Sequence, residues 1–127
     1  MDIRIGHGYD VHALKEGLQL VLCGVKIDHT KGCVAHSDGD VAIHAICDAL
    51  LGALALGDIG KLFPDSNATY KGIDSRILLK EVVKVVVDNG YSISNIDCTI
   101  AMQRPKLRPH IDLMRQRLAE VIEIDIS

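Results

Sequence analysis

Apolar residues recur at helical spacing in three parts of the chain. Along 41–56 they occupy nearly every side of a helix, which predicts a helix that is buried all round and stops at the next glycine. Ser37 or Asp38 can cap its start, because a side-chain oxygen there accepts from free N–H groups. A second helix is predicted over 74–90, ending at an Asn-Gly stop, and a third over about 109–121 with one apolar face.

Other stretches have the pattern of strands. We expect strands at about 2–7 and 18–27, and the alternation of apolar and polar residues over 96–102 predicts another. The Gly- and Asp-rich stretch 57–72 is typical of an irregular loop, and 122–127 has the composition of a strand that is just beginning. This order of elements predicts an α/β (α+β) fold, with a single layer of mixed sheet packed on helices.

Composition limits the classes of protein. A chain of 127 residues forms one domain, and with only 3% aromatic residues its core must be built from Val, Ile, Leu and Ala. A net charge of −3 argues against a nucleic-acid partner. The chain has neither a long apolar run nor an N-terminal signal pattern, so we expect a cytoplasmic protein without a membrane partner. The four cysteines lack C-x-x-C spacing and are expected to be small buried hydrophobes.

One carboxylate and two histidines form a candidate metal site. Asp10 and His12 lie two apart in a segment expected to be extended, so their side chains share a face, and His44 lies in the apolar helix. Three such ligands suit a divalent metal with one position open for substrate. Alternatively, His44 is a core histidine that is hydrogen-bonded to Asp40 or Asp48, which share its stripe of the helix. Asp10 and His12 favour the metal interpretation, in which the two helix carboxylates orient ligands or substrate.

Two loops have the composition of phosphate-binding and hydroxyl-binding segments. Arg104, Lys106 and Arg108 alternate in a loop stiffened by prolines, which suits a phosphate or a nucleotide, although such a run can also be a solvated surface. The stretch 57–67 contains glycines that let the backbone approach a ligand closely and aspartates that can bind substrate hydroxyls. Alternatively, it is a loop without a binding role. The pair His36–Ser37 precedes a helix N-terminus, which favours anions.

Four segments together resemble one enzyme family. They are Arg4–His12, His36–His44, Asp48–Asp65 and Pro105–His110, and they span nearly the whole chain. In these segments the chain resembles the 2-C-methyl-D-erythritol 2,4-cyclodiphosphate synthases of non-mevalonate isoprenoid biosynthesis. The resemblance implies a homotrimer whose sheets face the threefold axis, with each active site between neighbouring subunits. The family's later final strand and Thr-Thr-x-Glu segment have no counterpart in 122–127.

The resemblance also implies roles for individual residues. Asp10, His12 and His44 would hold a zinc ion, and His36 would stabilise the transition state. A second ion, magnesium or manganese, would bridge the nucleotide phosphates. Residues beside His36, in the loop after the apolar helix and in the basic loop would bind the substrate: Ser37, Asp58, Ile59, Gly60, Phe63, Pro64, Asp65, Ser66, Asn67, Met102, Gln103, Arg104, Pro105, Lys106, Leu107 and Arg108.

The implied reaction is an intramolecular phosphoryl transfer. The 2-phosphate of 4-diphosphocytidyl-2-C-methyl-D-erythritol 2-phosphate attacks the β-phosphorus, and CMP leaves as the 2,4-cyclodiphosphate forms. The nucleophile is already an anion, so the site needs positioning and cationic groups and no general base. Two other hypotheses use the same triad. One is a metal-dependent phosphohydrolase with a linear product, and the other is a catalytically impaired trimer that only binds metal or ligand.

Overall fold

The computed structural model describes residues 2–64 and 67–124 of the chain. Within these residues it contains four short strands: β1 Leu14–Glu16, β2 Leu20–Leu22, β3 Val25–Ile27 and β4 Lys31–Cys33. Its α-helices are α1 Val41–Ala53, α2 Ile59–Leu62, α3 Ser75–Asp88 and α4 Ile111–Ile122, and single 3-10 turns cover Ala68–Tyr70 and Arg108–His110. None of the described helices has the length and apolar character needed to cross a membrane.

The three helices predicted from the sequence are present. In α1 only Gly52 is exposed, as expected for a helix that is apolar on nearly every side. The helix ends three residues earlier than predicted, because the chain turns at Ala55, which has a φ of 56°. In α3 the side chain of Asp74 caps the first turn, and Gly90 follows the helix with a φ of 83°. These caps explain why helix boundaries could be predicted closely.

The prediction of one strand over 18–27 is wrong, because this stretch is a hairpin. Strands β2 and β3 pair antiparallel, with Leu20 opposite Ile27. Cys23 and Gly24 form the turn between them with φ values of 51° and 74°. Two successive residues with positive φ are what a tight two-residue hairpin requires, and Gly24 adopts that conformation at little cost. The Cys-Gly pair was the sequence signal for the turn.

The predicted strands at 2–7 and 96–102 do not form among the described residues, so there is no single layer of mixed sheet. Instead, β1 pairs with β4 and β2 pairs with β3 in two antiparallel ladders. These small ladders beside the helices confirm the α+β class. Of the strand expected over 122–127, Ile122 is the last residue of α4, and 125–127 lie outside the described residues.

The alternation of apolar and polar residues in 96–102 reflects packing against the core and not hydrogen bonding to a neighbouring strand. Ile96, Ile100 and Met102 are half-buried, whereas Asp97 and Thr99 are exposed. The three apolar side chains pack against the two core clusters. A period of two shows which face of a segment is covered, and it is equally compatible with a segment that has no hydrogen-bonded neighbour.

The core consists of two clusters of aliphatic side chains and cysteines. One lies between the β2–β3 hairpin, the start of α1 and Met114 of α4. The other lies among α1, α3 and the end of α4, with Phe63 packed at its edge. Cys23, Cys33 and Cys47 are buried as predicted, but Cys98 is exposed. The second cluster holds α1 in place and so fixes the position of His44.

Asp40 joins the β2–β3 hairpin to the start of α1. Its fully buried carboxylate accepts from the N–H of Ile43 at 3.1 Å, which caps the helix. It also accepts from the N–H groups of Cys23 at 2.9 Å and Gly24 at 2.7 Å, which holds the hairpin turn. Burial raises the pKa of Asp40 to about 6, while these backbone hydrogen bonds oppose the rise.

We expect the contribution of Asp40 to stability to fall as the pH rises. Its pKa increases from 3.8 to about 6 on folding, so the stabilisation is complete below pH 4 and is lost as the pH passes 6. Asp40→Asn cannot titrate. The free energy of unfolding of the wild type, relative to this variant, should therefore decrease by about 2 kcal/mol between pH 4 and pH 7. Urea unfolding across this range measures the difference, and a constant difference would contradict the prediction.

Candidate metal centre

Asp10, His12 and His44 meet at one point on the surface of α1. Asp10 Oδ2 lies 3.2 Å from His12 Nδ1 and 3.3 Å from His44 Nδ1. One ligand atom from each of the three residues lies within 4.8 Å of the others. The structure therefore brings together the three residues predicted as metal ligands, although they come from a segment without strand pairing and from a helix.

Glycines let the segment before Asp10 lie directly on α1. A Cβ on Gly6 would be 1.8 Å from the carbonyl oxygen of Ala49, and one on Gly8 would be 1.8 Å from that of Ala45. The alternate side chains face away from the helix: Ile5 is 90% exposed. Asp10 continues the glycine face and is carried towards His44. The spacing of two predicted this shared face correctly.

His44 contributes a neutral imidazole to the cluster at neutral pH. Burial and the neighbouring His12 lower the pKa of His44, while Asp10 opposes that effect. Neutral imidazole is the form that binds a metal, since the ligating nitrogen must offer a lone pair. His44 can therefore serve as a ligand without first losing a proton.

The donor set fits a divalent ion such as zinc. Ligand atoms of a tetrahedral zinc site, each about 2.0–2.1 Å from the ion, lie about 3.3 Å from one another. Asp10 Oδ2 has this separation from both Nδ1 atoms. The buried Nδ1 of His12 forms no hydrogen bond with any described residue, although Asp10 is near. An unpaired buried nitrogen is costly, and a cation held by the cluster would satisfy it.

The opposite edge of the His44 ring contacts two serines. His44 Nε2 lies 3.0 Å from Ser37 Oγ and 2.9 Å from Ser75 Oγ. The Ser75 hydroxyl in turn donates to Asp38 Oδ1 at 2.5 Å. Sequence reasoning identified Asp38 only as a candidate helix cap and placed Ser75 at the start of the second predicted helix. It did not connect the two residues, which are 37 positions apart in the chain. Both residues lie near helix N-termini, but this property is too general to predict their contact.

A cavity of about 460 Å³ lies beside the metal cluster. It brings together the triad and several residues predicted to bind substrate, from the loop before α1 and from the region of α2. The substrate residues are Ser37, Asp58, Ile59, Gly60 and Phe63, and His36, predicted to stabilise the transition state, lines the same pocket. The open side of the cluster therefore faces a pocket large enough for part of a small ligand.

Side-chain hydrogen bonds hold the walls of this pocket. Asp48 Oδ1 accepts from the N–H of Ile59 at 2.9 Å, which ties the start of α2 to α1. Asp58 caps α2 by accepting from the N–H of Lys61. His36 Nε2 lies 3.1 Å from the carbonyl oxygen of Asn67. These hydrogen bonds join α2 to α1, and the loop before α1 to the segment after α2.

The two carboxylates expected to orient the ligands have different surroundings. Asp40 directs its oxygens to backbone N–H groups of the hairpin and of α1, as described above. Asp48 lines the pocket, and partial burial raises its pKa, while its bond from Ile59 lowers it. Asp48 is therefore the one of the two whose carboxylate lies within reach of a ligand in the pocket.

The basic loop lies away from the pocket within this chain. Arg104, Lys106 and Arg108 are exposed, while Met102 and Leu107 pack against the first core cluster. None of the residues 102–108 lines the pocket that the described part of the chain forms. Pro64 is exposed at the edge of the loop, and the expected substrate residues Asp65 and Ser66 lie outside the described residues.

The fold and the site together define a class of protein. A small α+β domain presents three side chains that could hold a metal ion at the wall of a pocket, with the imidazole of His36 and the hydroxyl of Ser37 beside them. Such a partial ligand set, open on the side of a cavity, is characteristic of metal-dependent enzymes.

The family model described as "YgbB family" matches residues 3–127, and the chain belongs to that family. It is 60% identical over 126 residues to the 2-C-methyl-D-erythritol 2,4-cyclodiphosphate synthase of Thioalkalivibrio sulfidiphilus, covering 99% of this chain and 79% of the relative. It is 60% identical over 121 residues to the synthase of Methylococcus capsulatus, covering 95% of this chain and 77% of that relative. These matches confirm the resemblance seen in the sequence.

Solved structures of this kind of enzyme share the fold. One 2C-methyl-D-erythritol-2,4-cyclodiphosphate synthase superposes with a TM-score of 0.92 at 41% identity, covering 97% of this chain and 82% of that one. The CDP-bound form of such a synthase superposes with a TM-score of 0.91, also at 41% identity and with the same coverage. The backbone arrangement that carries the Asp10–His12–His44 cluster is therefore that of the synthases.

Proposed function

We propose that the protein is a phosphorus–oxygen lyase, a 2-C-methyl-D-erythritol 2,4-cyclodiphosphate synthase of the non-mevalonate pathway. It converts 4-diphosphocytidyl-2-C-methyl-D-erythritol 2-phosphate to the 2,4-cyclodiphosphate and CMP. The observation that carries the proposal is the pocket in which the metal cluster, His36–Ser37 and the α2 region meet. The 60% identity to curated synthases and the CDP-bound form of a solved relative support it.

The chain's own residues supply positioning and charge. When bound by Asp10, His12 and His44, a divalent ion such as zinc adds positive charge that orients a phosphate and screens repulsion between the reacting groups. His36 and Ser37 lie at the pocket wall beside the N-terminus of α1. Their proposed role is to donate hydrogen bonds to phosphate oxygens as charge moves in the transition state.

The α2 region is proposed to hold the methylerythritol part of the substrate. Asp58, Ile59 and Gly60 line the same pocket as His36–Ser37, and Phe63 adds an apolar side chain to its lining. Carboxylate and backbone groups can bind the sugar-alcohol hydroxyls, while the apolar side chain suits the methyl group. In the transfer, an oxygen of the 2-phosphate forms a bond to the β-phosphorus. The bond between the β-phosphorus and the bridging oxygen breaks, and CMP leaves with that oxygen.

The position of the basic loop supports a site shared between subunits. Residues 102–108 do not line the pocket of their own chain, yet they present three exposed cations. In the proposed cytoplasmic homotrimer, this loop of one subunit reaches the nucleotide end of a neighbour's pocket. A magnesium or manganese ion there would neutralise negative charge on the nucleotide phosphates. Sedimentation equilibrium should give three times the 13.8 kDa chain mass, and a monomer would contradict this arrangement.

Phosphorus-31 NMR of the reaction products tests the function. With the divalent metal and the substrate present, we expect the two coupled resonances of a cyclic diphosphate and one equivalent of CMP. Running the reaction in oxygen-18 water adds a control, because cyclisation takes no oxygen from water whereas hydrolysis takes one atom. A linear, oxygen-18-labelled product would instead identify a metal-dependent phosphohydrolase.

A further inference from the structure

Ser75, which is buried, and Asp38, which is half-buried, form a pair behind the metal cluster. Ser75 is the first residue of α3 and is completely buried, and its Oγ lies 2.9 Å from His44 Nε2. His44 Nδ1, on the opposite side of the ring, is the nitrogen that faces Asp10. The pair therefore contacts the one edge of the imidazole that is turned away from the cluster.

The direction of the hydrogen bonds follows from what each group can donate. Asp38 Oδ1 accepts from the Ser75 hydroxyl at 2.5 Å and from the N–H of Asp40 at 3.0 Å. Asp38 Oδ2 accepts from the Ser75 N–H at 2.9 Å. With its proton committed to Asp38, the Ser75 oxygen has only lone pairs left for His44. For His44 and Ser75 to share a hydrogen bond, Nε2 must therefore carry the proton and donate it to Ser75, and Nδ1 of the neutral ring carries the lone pair.

We propose that Asp38 and Ser75 are positioning residues that hold His44 as the Nε2–H tautomer and thereby keep Nδ1 ready for the metal. This inference rests on the metal centre of the proposed function. Without such a pair, the Asp10 carboxylate 3.3 Å from Nδ1 would favour a proton on that nitrogen. A proton at Nδ1 would block the lone pair that a metal needs.

Backbone contacts hold the pair in place. The N–H of Asp38 donates to the carbonyl oxygen of Ile73 at 3.0 Å, and that of Gly72 donates to the carbonyl of His36 at 2.6 Å. These bonds join the loop before α1 to the residues that lead into α3. Ser37 Oγ also lies 3.0 Å from His44 Nε2. This oxygen accepts a hydrogen bond from the N–H of Gly39. A carboxylate-backed hydroxyl is the stronger acceptor of the two.

The tautomer can be read in the wild-type protein without any substitution. In a long-range proton–nitrogen NMR spectrum of the metal-free protein at neutral pH, His44 should show a protonated Nε2 and a bare Nδ1. This measurement does not depend on the folding of a variant. A protonated Nδ1 at His44 would overturn the inference.

A matched pair of serine variants separates positioning from simple packing. Ser75→Ala should shift His44 towards the Nδ1–H form and weaken zinc binding about tenfold, within the range for groups that orient a metal ligand. Ser37→Ala removes the other hydroxyl near the same nitrogen and should leave the tautomer unchanged. A purely structural role for Ser75 would lower the free energy of unfolding while the tautomer and the zinc affinity stay as in the wild type, and that result would overturn the inference.

These readouts are independent of turnover. Zinc affinity, measured by competition with a chelator, and the histidine tautomer both use the full chain without substrate. If both change as expected while the wild type forms no cyclic product, the proposed function fails and the role of Ser75 stands. If the wild type forms cyclic product while Ser75→Ala changes neither readout, the role of Ser75 fails alone.

Discussion

Replacing His44 with alanine is expected to abolish metal uptake and CMP release together. The change leaves Asp10 and His12 as the only members of the cluster and removes the ligand that is anchored in α1. Loss of a group that only orients a ligand weakens metal binding about 10- to 100-fold. Loss of a direct ligand should weaken zinc binding by more than this. Metal content after dialysis and the rate of CMP release measure the two effects.

His7→Ala is the matched control for that experiment. His7 lies in the same segment as Asp10 but is exposed and is not part of the cluster. This variant should keep the metal content and the CMP release of the wild type. If His44→Ala retained both properties as well, the cluster would not be the metal centre of the reaction.

Gly8→Ala is expected to damage the site from a position outside both the metal cluster and the pocket lining. The new Cβ would lie 1.8 Å from the carbonyl oxygen of Ala45, a fixed backbone atom of α1, so the segment must move away from the helix. That segment carries Asp10 and His12. A misplacement of about 1 Å can cost about 100-fold in rate, and we expect a loss of CMP release on that order together with weaker zinc binding. Initial rates and chelator competition measure these losses.

Gly52→Ala provides the control for a glycine substitution on the same helix. Nothing lies within 4 Å of a Cβ at Gly52, which is helical and exposed. Alanine there should raise the free energy of unfolding by roughly 0.5–1 kcal/mol and leave zinc binding unchanged. Equal zinc affinities for Gly8→Ala and the wild type would show that the close approach to α1 does not position the ligands.

Helices could be predicted from the sequence more closely than strands. The caps Asp74 and Asn89 and the apolar character of α1 are local signals, so they appear within a short window of sequence. Strand pairing depends on which segment lies alongside, and a period of two cannot reveal that. For this reason, 96–102 has the alternation of a strand but forms none among the described residues. The hairpin turn at Cys23–Gly24 was missed because a Cys-Gly pair is an uncommon turn signal.

In the candidate site, too, the features with a local sequence signal could be predicted and those that depend on packing could not. Asp10 and His12 are neighbours in sequence, and His44 is conspicuous in an apolar helix, so the triad could be predicted. The contact of His44 with Ser75 joins residues 31 positions apart and depends on how α1 packs on α3. No spacing rule reports such packing. The roles of residues in the basic loop remain predictions, since a single chain does not show where a neighbouring subunit lies.

X-ray absorption spectroscopy of the metal-loaded protein tests the central claim, that Asp10, His12 and His44 form an open metal centre for a phosphorylated substrate. We expect two imidazole nitrogens, a carboxylate oxygen and one exchangeable light ligand around the ion. Adding the substrate should replace that ligand with a phosphate oxygen and bring phosphorus into the next shell of scatterers. A closed shell of four protein ligands that is unchanged by substrate would contradict the claim and identify a structural metal.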